Sequence, residues 1–194
     1  LNIALFGPPG AGKGTQSEWL IPHLELVHIA PGDILRQHIR LQTDLGKSVQ
    51  PYIESGALVP NELVISAITT KMEEHADAKG FLFDGYPRTR LQAKTLDEQL
   101  ASQARTLDLV LFLQVGQQTS YERIQERKKK LFRVDDQSNE KIATRFKYYH
   151  EKTLPVTEYY REQEKLIHIP GESEIPRVRE HIHGHLQAYL TKQF

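Results

Sequence analysis

Nine residues near the start of the chain run Gly7-Pro8-Pro9-Gly10-Ala11-Gly12-Lys13-Gly14-Thr15. Their types suit the binding of a polyphosphate. Backbone N–H groups converge on phosphate oxygens only where side chains do not crowd the loop, and Gly7, Gly10, Gly12 and Gly14 meet that condition. Lys13 brings a cation to the β- and γ-phosphates, and Thr15 brings a hydroxyl to the place of a bridging metal ion. The loop follows an apolar run, Asn2 to Phe6, and opens a helical pattern, Lys13 to Leu24. A helix N-terminus therefore adds its dipole to the anion site. The lysine is followed by Gly14 before the hydroxyl, a variant of the general GxxxxGK[ST] pattern that narrows the class.

A second set of residues lies downstream. Asp84 closes the apolar run Phe81 to Phe83, where ligands gather in open α/β sheets. Its carboxylate suits Mg²⁺ held through water; a helix cap is the plainer alternative, and the strand-end position favours the metal. Arg88 stands after the tight turn Gly85-Tyr86-Pro87, and Arg36 lies on a short helix. Either guanidinium suits a bidentate grip on phosphate, and either also reads as solvated surface. The Gln92 amide offers a donor and an acceptor to a purine edge. Arg123 and Arg127 share a helix face, and with Lys128 to Lys130 they read in isolation as a solvated basic run.

The elements that must position these groups alternate. Strands are expected at Asn2–Phe6, Val27–Ile29, Phe81–Phe83, Leu107–Val115 and Leu166–Ile169. Helices are expected at Lys13–Leu24, Ile34–Leu41, Leu45–Ile53, Pro60–His75, Thr89–Ser102, Gln117–Lys130, Asn139–Gln163 and Ile175–Leu190, with Pro155 kinking or dividing the long one. Such alternation predicts an α/β fold: a central parallel five-stranded sheet with helices on both faces, in three layers. With 194 residues, one domain is expected over 1–194.

Composition excludes several classes. Lys+Arg and Asp+Glu each number 25, so no global positive field marks a nucleic-acid or membrane binder, and any cationic site must be local. The absence of cysteine excludes disulfides and four-Cys zinc sites. The largely apolar stretch 107–113 is too short to span a bilayer, and no secretory leader is evident, so a cytoplasmic enzyme is expected.

The loop GPPGAGKGTQ resembles that of adenylate kinases and their nucleoside monophosphate kinase relatives. Pro31 to Arg36 (PGDILR), Ser55 to Val64 (SGALVPNELV), Phe81 to Thr89 (FLFDGYPRT) and Arg133 to Asp136 (RVDD) resemble the same family in the same order, over essentially the whole chain. The resemblance implies a P-loop NTPase fold with an inserted AMP-binding lobe at 30–59 and a short lid at 128–136, with no zinc site. It implies reversible transfer from Mg-ATP to AMP by a monomeric enzyme with Mg²⁺ as cofactor. For ATP it implies contacts from Gly10, Ala11, Gly12, Lys13, Gly14 and Thr15, with Arg123 at the base beside Gly171 and Ser173, and Arg127 at the phosphates. For AMP it implies Arg36 and Arg88 at the phosphate, Gln92 at the adenine, and contacts from Pro31, Ala57, Leu58, Val59, Gly85, Tyr86 and Pro87. Arg133 and Arg145 would bridge both nucleotides, and Thr15 and Asp84 would serve the metal.

Two departures from the family pattern stand out. Pro31 replaces the family's threonine, which removes a hydroxyl and an N–H beside the AMP base. One extra residue separates RVDD from its helical arginine, taken here as Arg145. Pro31 also keeps open a UMP/CMP or broad-specificity kinase, while Thr89, where pyrimidine-specific relatives usually carry asparagine, favours AMP.

Overall fold

A computed structural model describes residues 1–192. Five strands, β1 (Ile3–Phe6), β2 (Val27–Ile29), β3 (Phe81–Asp84), β4 (Leu109–Gln114) and β5 (Leu166–Pro170), form one sheet in the order β2-β3-β1-β4-β5. Every pairing is parallel. Side chains alternate across β1, so Ala4 and Phe6 enter one apolar cluster while Ile3 and Leu5 enter the other. The sheet is buried on both faces, which is why its strands are almost wholly apolar.

The helices are α1 (Lys13–Leu24), α2 (Pro31–Arg40), α3 (Asp44–Ser55), α4 (Asn61–Glu73), α5 (Arg90–Ser102), α6 (Gln117–Lys130), α7 (Asn139–Tyr148), α8 (Val156–Arg161) and α9 (Ile175–Thr191). Local chemistry sets several of their ends. The side chains of Thr43, Thr89 and Ser138 accept N–H bonds from Gly46, Gln92 and Lys141 at the starts of α3, α5 and α7. Pro31 begins α2, where a missing N–H removes no helical bond, so this helix starts three residues before the position expected from Ile34. Pro60 precedes α4 rather than opening it.

The long helix expected from Asn139 is divided, as Pro155 requires. The break begins earlier, in a π-helical turn over Tyr149–Thr153, where the Leu154 N–H donates to the Tyr149 carbonyl at 2.7 Å. A 3₁₀ turn, Val134–Asp136, joins α6 to α7 and packs against α3. A methyl placed on Gly56 would stand 2.7 Å from the Lys141 carbonyl oxygen, so the segment after α6 already touches the helical pair α2–α3.

Candidate active site

The phosphate loop leaves the end of β1 and enters α1. Gly10 holds φ +85°, and a Cβ there would run into the Ser120 backbone, whose carbonyl carbon would be 3.0 Å away. Gly7 holds φ +147°, and a Cβ there would come within 2.9 Å of the Leu113 carbonyl oxygen. These glycines are demanded both by conformation and by space. The Lys13 ammonium folds back to donate to the Gly7 and Pro8 carbonyls, at 2.8 and 3.0 Å. Burial pushes its pKa down to about 7; Asp84 opposes that shift, and Arg88, Arg145 and Arg127 deepen it.

The loop opens onto a cavity of about 1050 Å³. Gly10, Ala11, Gly12, Lys13, Gly14 and Thr15 line one end of it. Arg123, Gly171 and Ser173 line it too, with Arg123 donating to the Gly171 carbonyl at 2.8 Å. Arg36 from α2, Leu58 after α3, and Gly85, Pro87 and Arg88 from the β3–α5 turn line it as well, and Arg127, Arg133 and Arg145 come from α6, the turn after it and α7. Crowding among these cations lowers their pKa values. Arg88 is pushed down to about 10, first by burial and then by Arg145 and Arg36. Arg133 is lowered by burial, then by Arg36 and Arg127. Lys13 and the five arginines 36, 88, 127, 133 and 145 thus share one field, and an anion is the natural complement to it.

Carboxylates hold several of these arginines in place. The fully buried Asp136 accepts from Arg127 Nη2 at 2.7 Å and Nε at 3.0 Å, while its other oxygen takes the Arg145 guanidinium. Asp135 lies 3.2 Å from the same Arg145 nitrogen. Arg36 pairs with Asp33 at 2.6 Å. Arg88 donates through Nε to the Gly85 carbonyl at 2.7 Å, and its own carbonyl accepts from the Thr153 hydroxyl at 3.2 Å.

Asp84, at the end of β3, accepts from the Ser17 hydroxyl at 2.9 Å and lies 3.5 Å from His28 Nε2. Burial raises its pKa, but His28, Lys13 and Ser17 together outweigh that and hold it below the usual carboxylate value. Among the described residues no three His, Cys, Asp or Glu side chains cluster as a metal cage. A carboxylate with the Ser17 hydroxyl against it, on the same cavity as the Thr15 hydroxyl and the phosphate loop, is the sparse, oxygen-only donor set that Mg²⁺ accepts when substrate phosphates and water complete it.

The family model described as adenylate kinase matches residues 5–165. An adenylate kinase of Flavobacterium johnsoniae is 40% identical over 182 residues, covering 94% of this chain and 96% of the relative. One from Parabacteroides distasonis is 40% identical over 178 residues, at 92% and 93% coverage. One from Cyanothece sp. is 41% identical over 184 residues, at 93% and 94%. The chain belongs to the adenylate kinase family.

Not every residue that the resemblance assigns in an adenylate kinase lines the cavity here. Pro31, Val59 and Tyr86 are buried behind the wall, and Ala57 is half-buried, its N–H donating to the Tyr52 carbonyl. Gln92 departs from expectation most. It is buried, its Oε1 accepts from the Arg88 N–H at 2.8 Å, and its Nε2 donates to Asn61 Oδ1 at 3.0 Å. A buried amide takes the nearest donor and acceptor, and here those tie Gln92 to the turn carrying Arg88.

The basic run at the end of α6 also splits. Arg123 and Arg127 face the cavity, Lys128 donates to the Gln137 carbonyl, and Lys129 pairs with Glu126 at the surface. Sequence reasoning missed Ser17, His28, Asn61 and Thr153 and the bracing role of Asp135 and Asp136. For the two aspartates a signal existed, since two adjacent acids beside an arginine cluster are natural partners for it.

Proposed function

We propose that this chain transfers the γ-phosphoryl group of Mg-ATP reversibly to AMP, giving two ADP. The carrying observation is the convergence of Lys13 with Arg36, Arg88, Arg127, Arg133 and Arg145 on one cavity, from the phosphate loop, α2, the β3–α5 turn and both sides of the 3₁₀ turn. A single triphosphate needs the loop and its lysine; cations on the far side suit a second phosphate. In this reading Gly10 to Thr15, Arg123, Arg127, Gly171 and Ser173 hold ATP. Arg36, Leu58, Gly85, Pro87 and Arg88 hold AMP, with Gln92, Pro31, Ala57, Val59 and Tyr86 shaping its pocket from behind.

The AMP phosphate is already an anion, with a second pKa near ~6, so no general base is needed. The difficulty is electrostatic. Two polyanions must meet in line, and charge spreads over the transferring group. Arg133 and Arg145 sit between the two phosphate sites and compensate that charge, while Asp136 and Asp135 keep their neighbours oriented beforehand. Thr15 and Asp84 would hold Mg²⁺, which when bound neutralises charge on the transferring phosphates. The helical lobe at 30–59 and the lid at 128–136 exclude water by closing on the substrates, which protects ATP from hydrolysis.

The test is production of ADP from ATP plus AMP, with UMP, CMP and GMP as alternative acceptors and a bisubstrate dinucleotide (two adenosines joined by a phosphate chain) as inhibitor. AMP should be the preferred acceptor, and calorimetry should find ATP and AMP bound together. One nucleotide per chain at saturation would sink the proposal. Lys13→Ala and Arg88→Ala should each lower kcat by at least ~100-fold with the fold intact by circular dichroism.

A further inference from the structure

A second cavity, of about 580 Å³, lies beside the first. Phe112 and Pro170 enter it where β4 and β5 run out, and Phe146, Tyr149 and Leu154 enter it from α7 and the π-helical hinge. Its size and its mixture of aromatic walls with a few polar groups fit a small-molecule site. Its charged groups differ from those of its neighbour. Lys13, Lys130 and six arginines line the nucleotide cavity among several carboxylates, whereas no lysine or arginine lines this one, and its single carboxylate, Glu172, stands on the border shared by the two. One oxygen of Glu172 accepts from the Gly116 N–H at 2.8 Å. Aromatic faces together with a carboxylate favour a planar aromatic ligand bearing positive charge and disfavour a phosphate.

The position of this cavity also carries meaning. Tyr149, Glu172 and Ser173 line both cavities, so the second borders the residues assigned to ATP. The Tyr149 carbonyl and the Leu154 N–H make the 2.7 Å bond that closes the π-helical turn, and Thr153, between them, donates to the Arg88 carbonyl. That turn connects α7, which carries Arg145, to α8 in the core. An occupant packed against Tyr149 and Leu154 therefore bears on the element the lid must bend. We propose that this cavity is a second ligand site, for a small planar aromatic cation, whose occupant restrains the lid hinge and slows turnover.

The probe is 4-fluorobenzylammonium, followed by ¹⁹F line broadening at pH 8, with 4-fluorobenzoate as the anionic control. The cation should bind ~tenfold more tightly than the benzoate. Its binding should survive saturating bisubstrate dinucleotide and be lost in Leu154→Trp, which fills the cavity. Gln114→Trp, at the exposed rim, serves should the first variant not fold. Glu172→Gln should erase the preference for the cation. In the ADP-forming assay the cation should lower kcat and leave the KM values for ATP and AMP unchanged. Displacement by the dinucleotide would assign the probe to the nucleotide cavity and overturn the proposal, as would equal binding of the benzoate or full binding to both tryptophan variants. Binding without any fall in kcat would overturn the hinge restraint. The kinetic arm rests on the proposed phosphoryl transfer, whereas the binding arm does not, so failure of one is distinguishable from failure of the other.

Discussion

Lys13 carries the sharpest chemical consequence of the site. Burial and three arginines hold its pKa down at about 7, against the pull of Asp84. At pH 8 its ammonium is therefore mostly deprotonated in the free protein, and an incoming polyphosphate, which favours the charged form, restores the proton. Binding then takes up protons, and affinity weakens as pH rises through 7 to 9. Calorimetry of dinucleotide binding at pH 8, in buffers of different ionisation enthalpy, should show uptake of about one proton per site. Lys13→Arg should bind without it; no uptake by the unsubstituted chain would mean that the lysine is charged throughout. The lysine and its arginines were legible in the sequence because loop spacing and motif order announce them. Their supports were not. Ser17 and Asp84 stand 67 positions apart, and Gln92 and Asn61 stand 31 apart, so only the fold brings them together. The partners of Gln92 were hidden for the same reason: its amide chemistry suits a purine edge, but nothing local shows that Arg88 and Asn61 engage it in the free chain.

At the scale of elements, apolar runs and helical periods gave the existence and order of strands and helices. The strand order β2-β3-β1-β4-β5 has no local signature, and the parallel pairing rests on alternation alone. The π-helical turn was hidden as well. Proline marks a break at 155, but the backbone yields from Tyr149 onward, where tertiary contacts decide the register. Within that turn the Thr153 hydroxyl donates to the Arg88 carbonyl at 3.2 Å, linking the π-helical turn after α7 to the turn that carries Arg88. Thr153→Val keeps shape and removes the donor. Loss of one such bond is worth about 1 kcal/mol, so KM for AMP should rise roughly fivefold while KM for ATP holds, and Thr153→Ser should restore it. An unchanged KM for AMP in the valine variant would show that the bond does not position Arg88.

For the whole molecule, 25 basic and 25 acidic residues cancel, yet Lys13, Lys130 and six arginines line one cavity. The folded, free chain must therefore hold that charge with carboxylates placed among it. Asp136 is the most deeply placed, fully buried between Arg127 and Arg145. Asp136→Asn preserves volume and removes the anion. Breaking a buried pair from one side costs about 3–5 kcal/mol, which for a chain of this size lowers the melting temperature on the order of 10 °C. Nucleotide phosphates bring negative charge to the same arginines. Dinucleotide at about 100 times its dissociation constant stabilises any binding-competent chain by ~2.7 kcal/mol. At one fixed concentration, however, it should raise the melting temperature of the Asp136→Asn chain more than that of the unsubstituted one, because it supplies the charge that the substitution removed. Equal increments would show that Asp136 does not stand in for phosphate. A fall in kcat alongside tighter binding would separate two duties of Asp136: its negative charge offsets the neighbouring arginines in the free chain, and in the proposed reaction its geometry aims them at the transferring group.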